Sequence, residues 1–420
     1  MKKLTAIVVG FGSRSNTYAC YAESHPEELK IVAVADPIPQ KLEKAKNKHD
    51  LPESALFSDW KDLANQPKIA DFAIIGTQDN LHTAPALALI EKGYNLLLEK
   101  PIAQTTEECK QIVEAAENKG VKVVICHVLR FTKFWYALKE IIDRDEIGDI
   151  VSVSHFENVG NIHQSHSYVR GPWKNANEAT PMILAKSCHD TDILQWLIGK
   201  ECKKVQSFGS LAHFTKKNKP EDAPHRCMEG CPHADSCFYD AKKVYLDKSM
   251  WFRDNAFGEA SDEEILELLK TSPLGVCVYD CDNNVVDHQV VNMEFEGGIT
   301  ASLSMNAFNE GGRFIKIFGT KGEITAYMGK NEIDVYSFAT KQHKVYELLK
   351  VGEHINSGHG GGDEGIMIDT LKFFRGEETS KSICSVRMSY ISHLIGFAAE
   401  KSRLTNQVID LDEYSKTFNS

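Results

Sequence analysis

The first part of the chain alternates short apolar runs with amphipathic stretches. Five runs before residue 128 predict strands, namely AIVVG, KIVAVAD, FAIIGT, YNLLLEK and KVVICH. The stretches QKLEKAKNKH, APALALIEKG and TEECKQIVEAAENKG predict helices, and Gly93 and Gly120 stand where the last two would end. Strands buried on both faces have continuous apolar runs. The pattern therefore predicts an α/β domain over residues 1–126, a doubly wound parallel sheet of the Rossmann type.

Beyond this region the strands become longer and follow one another with few helices between them. The runs DIVSVSHFENV, HQVVNMEFEGGITASLSMNAF and RFIKIFGTKGEITAYM are the clearest examples. They predict a second, α+β domain over residues 127–420, with a large open and mostly antiparallel sheet. Residues 213–271 are polar and contain several cysteines, so we expect a surface excursion there.

The composition is that of an ordinary globular protein. Of the 420 residues, 42% are hydrophobic and 25% charged, and the formal net charge is -11. This acidic balance argues against a nucleic-acid partner, which usually requires a basic surface. The apolar run after MKK is short and enters a glycine turn, and we find no apolar run long enough to span a membrane. We therefore expect a cytoplasmic protein.

Eleven cysteines are present, and most stand singly in apolar segments, which is typical of reduced, buried thiols. Cys227, Cys231 and Cys237 form a cluster, with His225 and His233 beside them. Three thiolates and one imidazole could hold a structural zinc ion. Reduced thiols in a surface lobe, or a disulfide, are the alternative interpretations.

The first predicted strand ends in Gly10-Phe11-Gly12-Ser13-Arg14-Ser15 and leads into a helix. A bare turn of this kind lets a pyrophosphate approach backbone N–H groups at the positive end of the helix. Gly10 would make the turn and Gly12 would allow the close approach. Ser15 stands where the fingerprint has a third glycine, so the motif alone is weak.

Asp36 ends the second predicted strand, where an acidic side chain can accept hydrogen bonds from the adenosine ribose hydroxyls. A carboxylate there would repel a 2'-phosphate, so the sequence favours NAD over NADP. Asp36 could instead only begin a turn before Pro37. Arg14 could stack on adenine or reach a phosphate, which leaves NADP open.

Two further segments carry a family resemblance. GTQDNLH (76–82) and LLLEKPIA (96–103) resemble the Gfo/Idh/MocA oxidoreductases, a family named for glucose-fructose oxidoreductase and inositol dehydrogenase. GTKGEI (319–324) and HGGGDEG (359–365) resemble its signatures in the second domain. Residues 155–173 and 181–199 are similar to one large branch of this family. The resemblance extends over essentially the whole chain and implies homodimers or homotetramers built by pairing of open sheets.

The resemblance also implies a set of cofactor-binding residues: Gly10, Phe11, Gly12, Ser13, Arg14, Asp36, Thr77, Gln78, His82, Glu99, Lys100 and Pro101. Hydride transfer at a carbinol carbon needs a base and a positive charge near the developing alkoxide. Lys100, at the carboxyl end of a parallel strand, could supply the charge, although a plain salt bridge with Glu99 is the alternative.

His189 is the candidate that moves the proton, since imidazole titrates near neutral pH. It could equally be a helix cap or a satisfied core residue. Many relatives carry an Asp four residues earlier, where this chain has Ala185, so we expect Lys186 to join Lys100 and His189 in one catalytic cluster. Asp192 matches an acid that could orient His189.

Several more side chains are candidates for substrate binding, because Arg can pair with a carboxylate and Trp can cover a sugar face. They are Arg130, His163, His166, Tyr168, Arg170, Trp173, Asp192 and His359. A polar loop that braces the two domains is the alternative interpretation of residues 158–173.

The sequence thus favours an NAD-dependent oxidoreductase acting on a sugar, a polyol or a sugar derivative. A second hypothesis is an NAD-dependent glycosidase or lyase, in which transient oxidation makes elimination easy. His163 and His166 would fit its need for acid and base groups. A third hypothesis is a regulator that senses the dinucleotide without chemistry, which the presence of both Lys100 and His189 argues against.

Overall fold

We analysed a computed structural model that describes residues 2–348 and 358–418. Its first sheet has six strands, which are β1 (Leu4–Val9), β2 (Leu29–Ala35), β3 (Leu56–Phe57), β4 (Phe72–Ile75), β5 (Asn95–Leu98) and β6 (Val123–Ile125). They are parallel, and their order is β3-β2-β1-β4-β5-β6. The predicted Rossmann sheet is confirmed. The very short β3 was not predicted, because two residues are too few to give a pattern.

Six helices accompany this sheet, and they are α1 (Ser13–Ala19), α2 (Tyr21–Ser24), α3 (Pro39–His49), α4 (Trp60–Asn65), α5 (Thr83–Glu91) and α6 (Thr106–Lys119). Helix α6 begins with a capping box between Thr105 and Glu108 and ends at Gly120, which has a positive φ of 68°. Such ends satisfy the unpaired groups of the first and last turns. All four residues of β4 are buried, as expected for a strand covered on both faces.

The second sheet has nine strands: β7 (Ile150–Asn158), β8 (Cys202–Ser210), β9 (His288–Phe295), β10 (Thr300–Asn306), β11 (Gly312–Gly319), β12 (Gly322–Tyr327), β13 (Glu332–Ser337), β14 (Gln342–Glu347) and β15 (Ile409–Asp410). Their order is β14-β13-β12-β11-β7-β10-β9-β8-β15. Only the β7–β10 pairing is parallel among these described strands. The predicted open, mostly antiparallel sheet is confirmed.

The remaining helices are α7 (Lys133–Asp143), α8 (Asn161–Gln164), α9 (Met182–Ala185), α10 (Cys188–Ile198), α11 (Ala241–Leu246), α12 (Phe252–Phe257), α13 (Asp262–Leu269), α14 (Gly362–Arg375), α15 (Val386–Thr405) and α16 (Leu411–Lys416), and a π-helix spans Ser165–Arg170. Helices α10 and α15 pack together against the second sheet, and α15 also contacts α6 and β6 of the first domain. The last part of the chain therefore joins the two domains.

Residues 211–287, which connect the neighbouring strands β8 and β9, form a separate lobe. Its core is aromatic and aliphatic, and Tyr245, Phe252, Ile265 and Leu269 are fully buried in it. The predicted polar excursion at 213–271 falls within this lobe. Within the described part of the chain, no helix combines the length and apolarity that a transmembrane helix requires.

Candidate active site

The glycine turn after β1 packs against the end of β4. Gly10 has a φ of +79°, and a Cβ there would lie 3.0 Å from the backbone N of Thr77 and 3.0 Å from Gly76 O. A side chain at this position would therefore strain the backbone and clash with it. A Cβ on Gly12 would meet only Gly76 O within 4 Å, at 3.9 Å. The outer side of Gly12 is thus open, as a loop that binds a pyrophosphate requires.

Ser15, at the position of the third glycine, is buried against Gly76. A Cβ on Gly76 would fall only 2.1 Å from Ser15 Oγ, so a serine at position 15 requires a glycine at position 76 in this packing. The close packing of helix and strand that a third glycine normally permits is obtained here with the glycine on the partner strand.

Asp36 lies at the carboxyl end of β2 and is buried. Its Oδ2 accepts a hydrogen bond from Phe11 N at 2.8 Å, and its Oδ1 accepts one from Ile38 N at 2.9 Å. The carboxylate therefore fixes the glycine turn and the next loop together. The two N–H donors leave further lone pairs on the oxygens, and its binding to a ribose stays a prediction.

Arg14 turns inward from the glycine turn. Its guanidinium donates to Glu99 Oε1 at 3.1 Å and pairs with Asp363 Oδ1 at 2.5 Å. Glu99 also accepts a hydrogen bond from Tyr18 Oη at 2.6 Å. Burial opposes the ionisation of Glu99, but Arg14 and Lys100 hold its pKa below the usual value. Arg14 thus joins the cofactor domain to α14 through Glu99 and Asp363.

The loops after β4 and β5 are held together by His82. Its Nδ1 lies 2.8 Å from Pro101 O, and its Nε2 lies 3.2 Å from Thr77 O. His82 is buried, whereas Gln78 is exposed at the edge of the cleft. The peptide bond between Lys100 and Pro101 is cis. We infer that His82 positions Thr77 and Pro101 rather than contacting the nucleotide itself.

Lys100 projects toward the segment that joins α9 and α10. Its Nζ donates a hydrogen bond to Ala185 O at 3.0 Å, which places the ammonium group one residue from Lys186. Its backbone N donates to Glu99 Oε2 at 3.0 Å, while the Glu99 carboxylate binds Arg14. The alternative of a Lys100–Glu99 side-chain salt bridge is therefore not what the structure shows.

His189 lies in the first turn of α10, and its ring meets that of His127 edge-on with 5.7 Å between centroids. Lys186 Nζ lies 3.3 Å from Glu157 Oε1. Burial lowers the pKa of Lys186, and the nearby cations Arg313 and Lys100 act in the same direction. Lys100, Lys186 and the start of α10 thus meet at the end of β5.

Sequence reasoning missed a buried charge network behind Lys186. Arg313 bridges Glu157 (2.7 Å) and Asp190 (2.7 Å), and Asp190 accepts a further hydrogen bond from His155 Nε2 at 2.8 Å. The run SVSHFEN could have revealed this network. Side chains alternate between the two faces of a strand, so His155 and Glu157 lie on the same buried face as Val153. Polar residues at buried positions of a strand indicate such a network.

Arg130 and Asp192 do not lie where the sequence suggested. The guanidinium of Arg130 binds the Asp192 carboxylate with both Nε (2.7 Å) and Nη2 (2.6 Å), and both side chains are buried. Asp192 also lies 3.6 Å from His127 Nδ1. This placement corrects two expectations, because Arg130 is committed to an internal partner and Asp192 orients Arg130 rather than His189.

His163, His166, Tyr168 and Trp173 lie around the π-helix, near the lobe. The ring of His163 is 5.2 Å from that of Trp251, and His166 stacks on Phe252 at 4.1 Å. Burial lowers the pKa of His166 to about 4, and burial lowers that of His163 as well. Both rings are therefore neutral at pH 7. Trp173 Nε1 donates to Asp79 Oδ1 at 3.3 Å, which ties the segment to the cofactor domain.

Arg170, at the end of the π-helix, is buried against the lobe. Its Nε donates to Val276 O at 2.7 Å and its Nη2 to Tyr239 O at 2.9 Å. The expectation that it binds a substrate carboxylate is therefore corrected. Arg170 and Trp173 thus each connect residues 158–173 to another part of the chain. The side chain of His359 lies outside the described residues.

The cysteine cluster does not have the geometry of the zinc site, which was one of its three interpretations. Among the described residues, the group of three possible ligand atoms found within 4.8 Å of one another is His127, Asp192 and Cys384, where Arg130 already neutralises the carboxylate. His225 binds Asp280 at 2.9 Å, and His233 binds Asp222 at 2.6 Å. The two imidazoles are thus occupied elsewhere, and Cys227, Cys231 and Cys237 are free thiols.

Comparison with known proteins identifies the family to which both domains belong. Residues 4–127 match the model of an oxidoreductase family with an NAD-binding Rossmann fold. Residues 139–382 match that of the C-terminal alpha/beta domain of the same family. Together they account for most of the chain.

Individual relatives are distant. A Bacillus subtilis protein named as an oxidoreductase, YteT, is 23% identical over 83% of this chain and 83% of its own length. The inositol 2-dehydrogenase of Salmonella typhimurium is 27% identical over 49% of this chain and 57% of its own. A 2,7-anhydro-N-acetylneuraminate hydratase of Escherichia coli is 28% identical over 49% of this chain and 53% of its own.

The same architecture occurs in solved structures. A levoglucosan dehydrogenase in complex with NADH and levoglucosan superposes with a TM-score of 0.71 at 18% identity, covering 98% of this chain and 100% of that one. At this identity the likeness concerns the fold alone. The two family matches cover both domains, and the chain belongs to the Gfo/Idh/MocA oxidoreductases.

Proposed function

We propose that the protein is an NAD-dependent oxidoreductase that transfers a hydride between nicotinamide and a carbinol carbon of a sugar, a polyol or a sugar derivative. The observation that carries this proposal is the position of Lys100. It stands at the carboxyl end of β5, where ligands of open parallel sheets bind, and its ammonium group contacts the segment that holds Lys186 and His189. Family membership and the inositol dehydrogenase relatives support the reaction class.

NAD, when bound, accepts or returns the hydride. The open side of Gly12 would receive the pyrophosphate, and Asp36 would accept hydrogen bonds from the ribose. Phe11, Ser13, Thr77, Gln78 and Pro101 border the same cleft in this proposal. Asp36 favours NAD over NADP, because its buried carboxylate would repel a 2'-phosphate.

Lys100 stabilises negative charge on the reacting oxygen, and His189 takes the hydroxyl proton. Lys186 is the second proton-transfer group of this proposal, and burial lowers its pKa. His163, Tyr168 and Trp173 form the substrate wall in this proposal. Arg130 binds Asp192, and Arg170 binds backbone carbonyls of the lobe. The wall therefore fits a neutral hydroxylated ring better than a carboxylate.

The test compares Lys100→Met with Lys92→Met, a surface lysine whose Nζ likewise donates to a backbone carbonyl, that of Gln66, at 3.2 Å. NAD reduction is followed by absorbance with a panel of inositols, aldoses and anhydrosugars. We expect Lys100→Met to reduce kcat by at least about 100-fold, as expected when an electrostatic group of the transition state is removed. NAD affinity should remain within a few fold, and Lys92→Met should behave as the wild type.

Unchanged turnover in Lys100→Met would overturn the catalytic assignment. A protein that binds NAD but turns over no compound of the panel, in wild type and variant alike, would favour the dinucleotide-sensing regulator instead.

A second candidate function has support from the lobe. Ser13 Oγ donates a hydrogen bond to Asn255 Oδ1 at 3.1 Å, so α12 of the lobe touches the glycine turn itself. A cofactor covered in this way suits a closed cycle of oxidation, elimination and reduction, as in an NAD-dependent glycosidase or lyase. The hydratase among the relatives has a name consistent with such chemistry.

The two candidates differ in what the purified protein carries. The protein is purified without added nucleotide and denatured, and the released dinucleotide is identified by mass spectrometry. Near-stoichiometric NAD supports the closed cycle, and its absence supports the exchangeable dehydrogenase. Release of NADP would contradict the role given to Asp36.

We further propose a homodimer or homotetramer in the cytoplasm. One face of the nine-stranded sheet packs on α10 and α15, whereas its other face exposes Phe156, Phe208, Val290 and Phe318. An apolar sheet face of this kind is typical of an interface. All eleven cysteines are free thiols, which suits a reducing compartment.

A further inference from the structure

Trp251 is an exposed aromatic residue on the part of the lobe that touches the first domain. It directly precedes α12, and its exposed fraction is 61%. Its neighbours in sequence, Met250 and Phe252, pack into the core of the lobe. Asn255, one turn later, accepts a hydrogen bond from Ser13 Oγ at 3.1 Å. Residues four positions apart share one face of a helix, so Trp251 lies on the face of α12 that contacts the glycine turn.

Trp251 is the outer end of a series of aromatic rings. Its indole lies 5.2 Å from the ring of His163, nearly perpendicular to it. The ring of His163 lies 5.8 Å from that of Tyr168, and Tyr168 lies 6.3 Å from Trp173. At the inner end, Trp173 Nε1 donates to Asp79 in the loop after β4. We refer to the four aromatic residues as the aromatic strip, which runs from the lobe to the cofactor domain.

The middle of the aromatic strip lies near the proposed catalytic groups. Helix α8, which carries His163, begins shortly after β7 ends, and Glu157 near that end lies 3.3 Å from Lys186 Nζ. Burial lowers the pKa of His163, and the charge of Lys186 lowers it further, so the two side chains lie close together. Lys100 reaches the same segment through Ala185 O. A hydroxylated ring that reacts at Lys100 would therefore lie beside His163.

An exposed aromatic side chain by itself carries no argument, because single apolar residues are common on protein surfaces. Phe238 of the lobe is also 61% exposed, but its ring packs on Tyr239, which is not part of the aromatic strip. Trp251 differs because it continues a surface that begins at the substrate wall. The exposed residues near it, Ser249 and Asn255, are polar. This setting fits a small ligand with apolar faces and hydroxyl edges better than a protein partner.

The aromatic strip is longer than a single sugar ring. A pyranose ring is similar in size to one aromatic side chain, so a ring held at the catalytic groups would cover His163 and leave Trp251 uncovered. The C–H groups on the face of a sugar pack on an aromatic ring, while the hydroxyls at its edge stay available for hydrogen bonds. Trp251 therefore offers a surface for a second ring joined to the first.

We propose that Trp251 forms a binding subsite for a second hydroxylated ring and that the substrate is accordingly a glycoside or a disaccharide. The reacting ring lies beside Lys100 and His163, and the neighbouring ring stacks on the indole of Trp251. This inference rests on the proposed function, because it extends the substrate wall of that site. It narrows the substrate class from sugars in general to sugars with a second ring.

The first test measures binding without turnover. The full-length protein is saturated with NADH, which cannot accept a hydride from a sugar, and is titrated in a calorimeter with cellobiose, maltose and lactose and with glucose and galactose. We expect at least one disaccharide to bind about 10-fold more tightly than either monosaccharide, as one additional stacked aromatic contact would give. The proposal is overturned if no disaccharide binds more tightly than the monosaccharides.

The subsite is then tested by substitution. Trp251→Ala should weaken binding of that disaccharide by about 10-fold and change binding of the monosaccharides by less than about 2-fold. Trp251→Phe should retain most of the affinity, because it keeps an aromatic face. Phe238→Ala, at an equally exposed aromatic position, should bind like the wild type. An equal loss for disaccharide and monosaccharides, or weaker binding of NADH to Trp251→Ala, would show that Trp251 acts elsewhere.

The outcomes separate this inference from the proposed function. Lys100→Met should bind the disaccharide as tightly as the wild type, since Lys100 acts on the reacting oxygen of the other ring. If binding depends on Trp251 but no sugar reduces NAD, the proposed function is wrong and the subsite remains. If sugars reduce NAD but Trp251→Ala binds disaccharides normally, the subsite is wrong and the proposed function remains.

Discussion

The carboxylate of Asp36 accepts one backbone N–H on each of its oxygens, from Phe11 and from Ile38. The same side chain thus shapes the glycine turn and, in the proposed function, accepts hydrogen bonds from the ribose. Arg14 likewise connects two elements, because its backbone belongs to the glycine turn and its guanidinium pairs with Asp363 of α14. Asp36 and Arg14 therefore hold neighbouring elements together, and in the proposed function Asp36 also binds the cofactor.

We expect Asp36→Asn to weaken NAD binding by about 10-fold to 100-fold. An amide cannot accept from both Phe11 N and Ile38 N, and hydrogen bonds to charged groups contribute about 1.5–3 kcal/mol. The ratio of NADP to NAD affinity should rise, because the negative charge is gone. Isothermal titration with both nucleotides measures this, and Glu43→Gln, on the exposed face of α3, serves as the control. Unchanged affinities would remove Asp36 from the cofactor site.

At the scale of secondary-structure elements, buried ion pairs connect segments that are far apart in sequence. Arg130 follows β6 and pairs with Asp192 of α10, and Arg313 of β11 joins β7 to α10. Helix α10 is therefore held by charges on two sides, while its first turn presents His189 to the cleft. These pairs fix the position of the segment that carries His189, the proton-transfer residue of the proposed function.

We expect Arg130→Met to lower the free energy of unfolding by about 3–5 kcal/mol, because it leaves the Asp192 carboxylate buried without its partner. The double variant Arg130→Met with Asp192→Leu should recover most of this loss. Urea unfolding followed by circular dichroism measures both. If Arg130→Met keeps its stability but raises the KM for substrate, Arg130 binds substrate and the structural role assigned to it is wrong.

The sequence predicted the elements well and the site only in part. Apolar runs and glycine ends are local patterns, so both sheets and the turn at Gly10 could be read from them. The partners of Arg130 and Arg170 lie many residues away, and no periodicity specifies which buried acid or carbonyl an arginine meets. Their roles depend on tertiary packing, which spacing along the chain does not encode.

At the scale of the whole molecule, the interior between the two sheets contains neutral histidines. Burial lowers the pKa of His127 to about 3 and that of His393 to about 4. The rings lie 5.7 Å apart between centroids, and Ser389 bonds to both. Protonation of either ring would place a charge in the region where α15 joins the domains.

We therefore expect acid to destabilise the protein. Between about pH 6.5 and about pH 4 the unfolded chain binds protons at these histidines that the folded chain does not, so the free energy of unfolding falls as the pH falls through that window. Urea unfolding at pH 7 and pH 5 measures the slope. His393→Gln should give a shallower slope, and His343→Gln, at an exposed position, should not. Equal slopes in all three proteins would contradict this assignment.

The open face of the second sheet should determine the oligomeric state. Phe208 and Val290 are directly paired on β8 and β9, and both are exposed. Introducing charge with Phe208→Asp and Val290→Asp should convert a dimer or tetramer to monomers in light scattering. Leu404→Asp, at an exposed apolar site on α15, is the control. A wild-type protein that is already monomeric would show that this face has another partner.

The lobe enters and leaves the second sheet through β8 and β9, whose ends are paired at Ser210 and His288. It is thus one long hairpin connection, and hairpin connections can change in length during evolution at little cost to the sheet that carries them. Trp251, Phe252 and Asn255, which reach the cleft, all belong to it. Descendants of such a protein could acquire new substrates by exchanging this single module, while the strands that carry the glycine turn and Lys100 remain as they are.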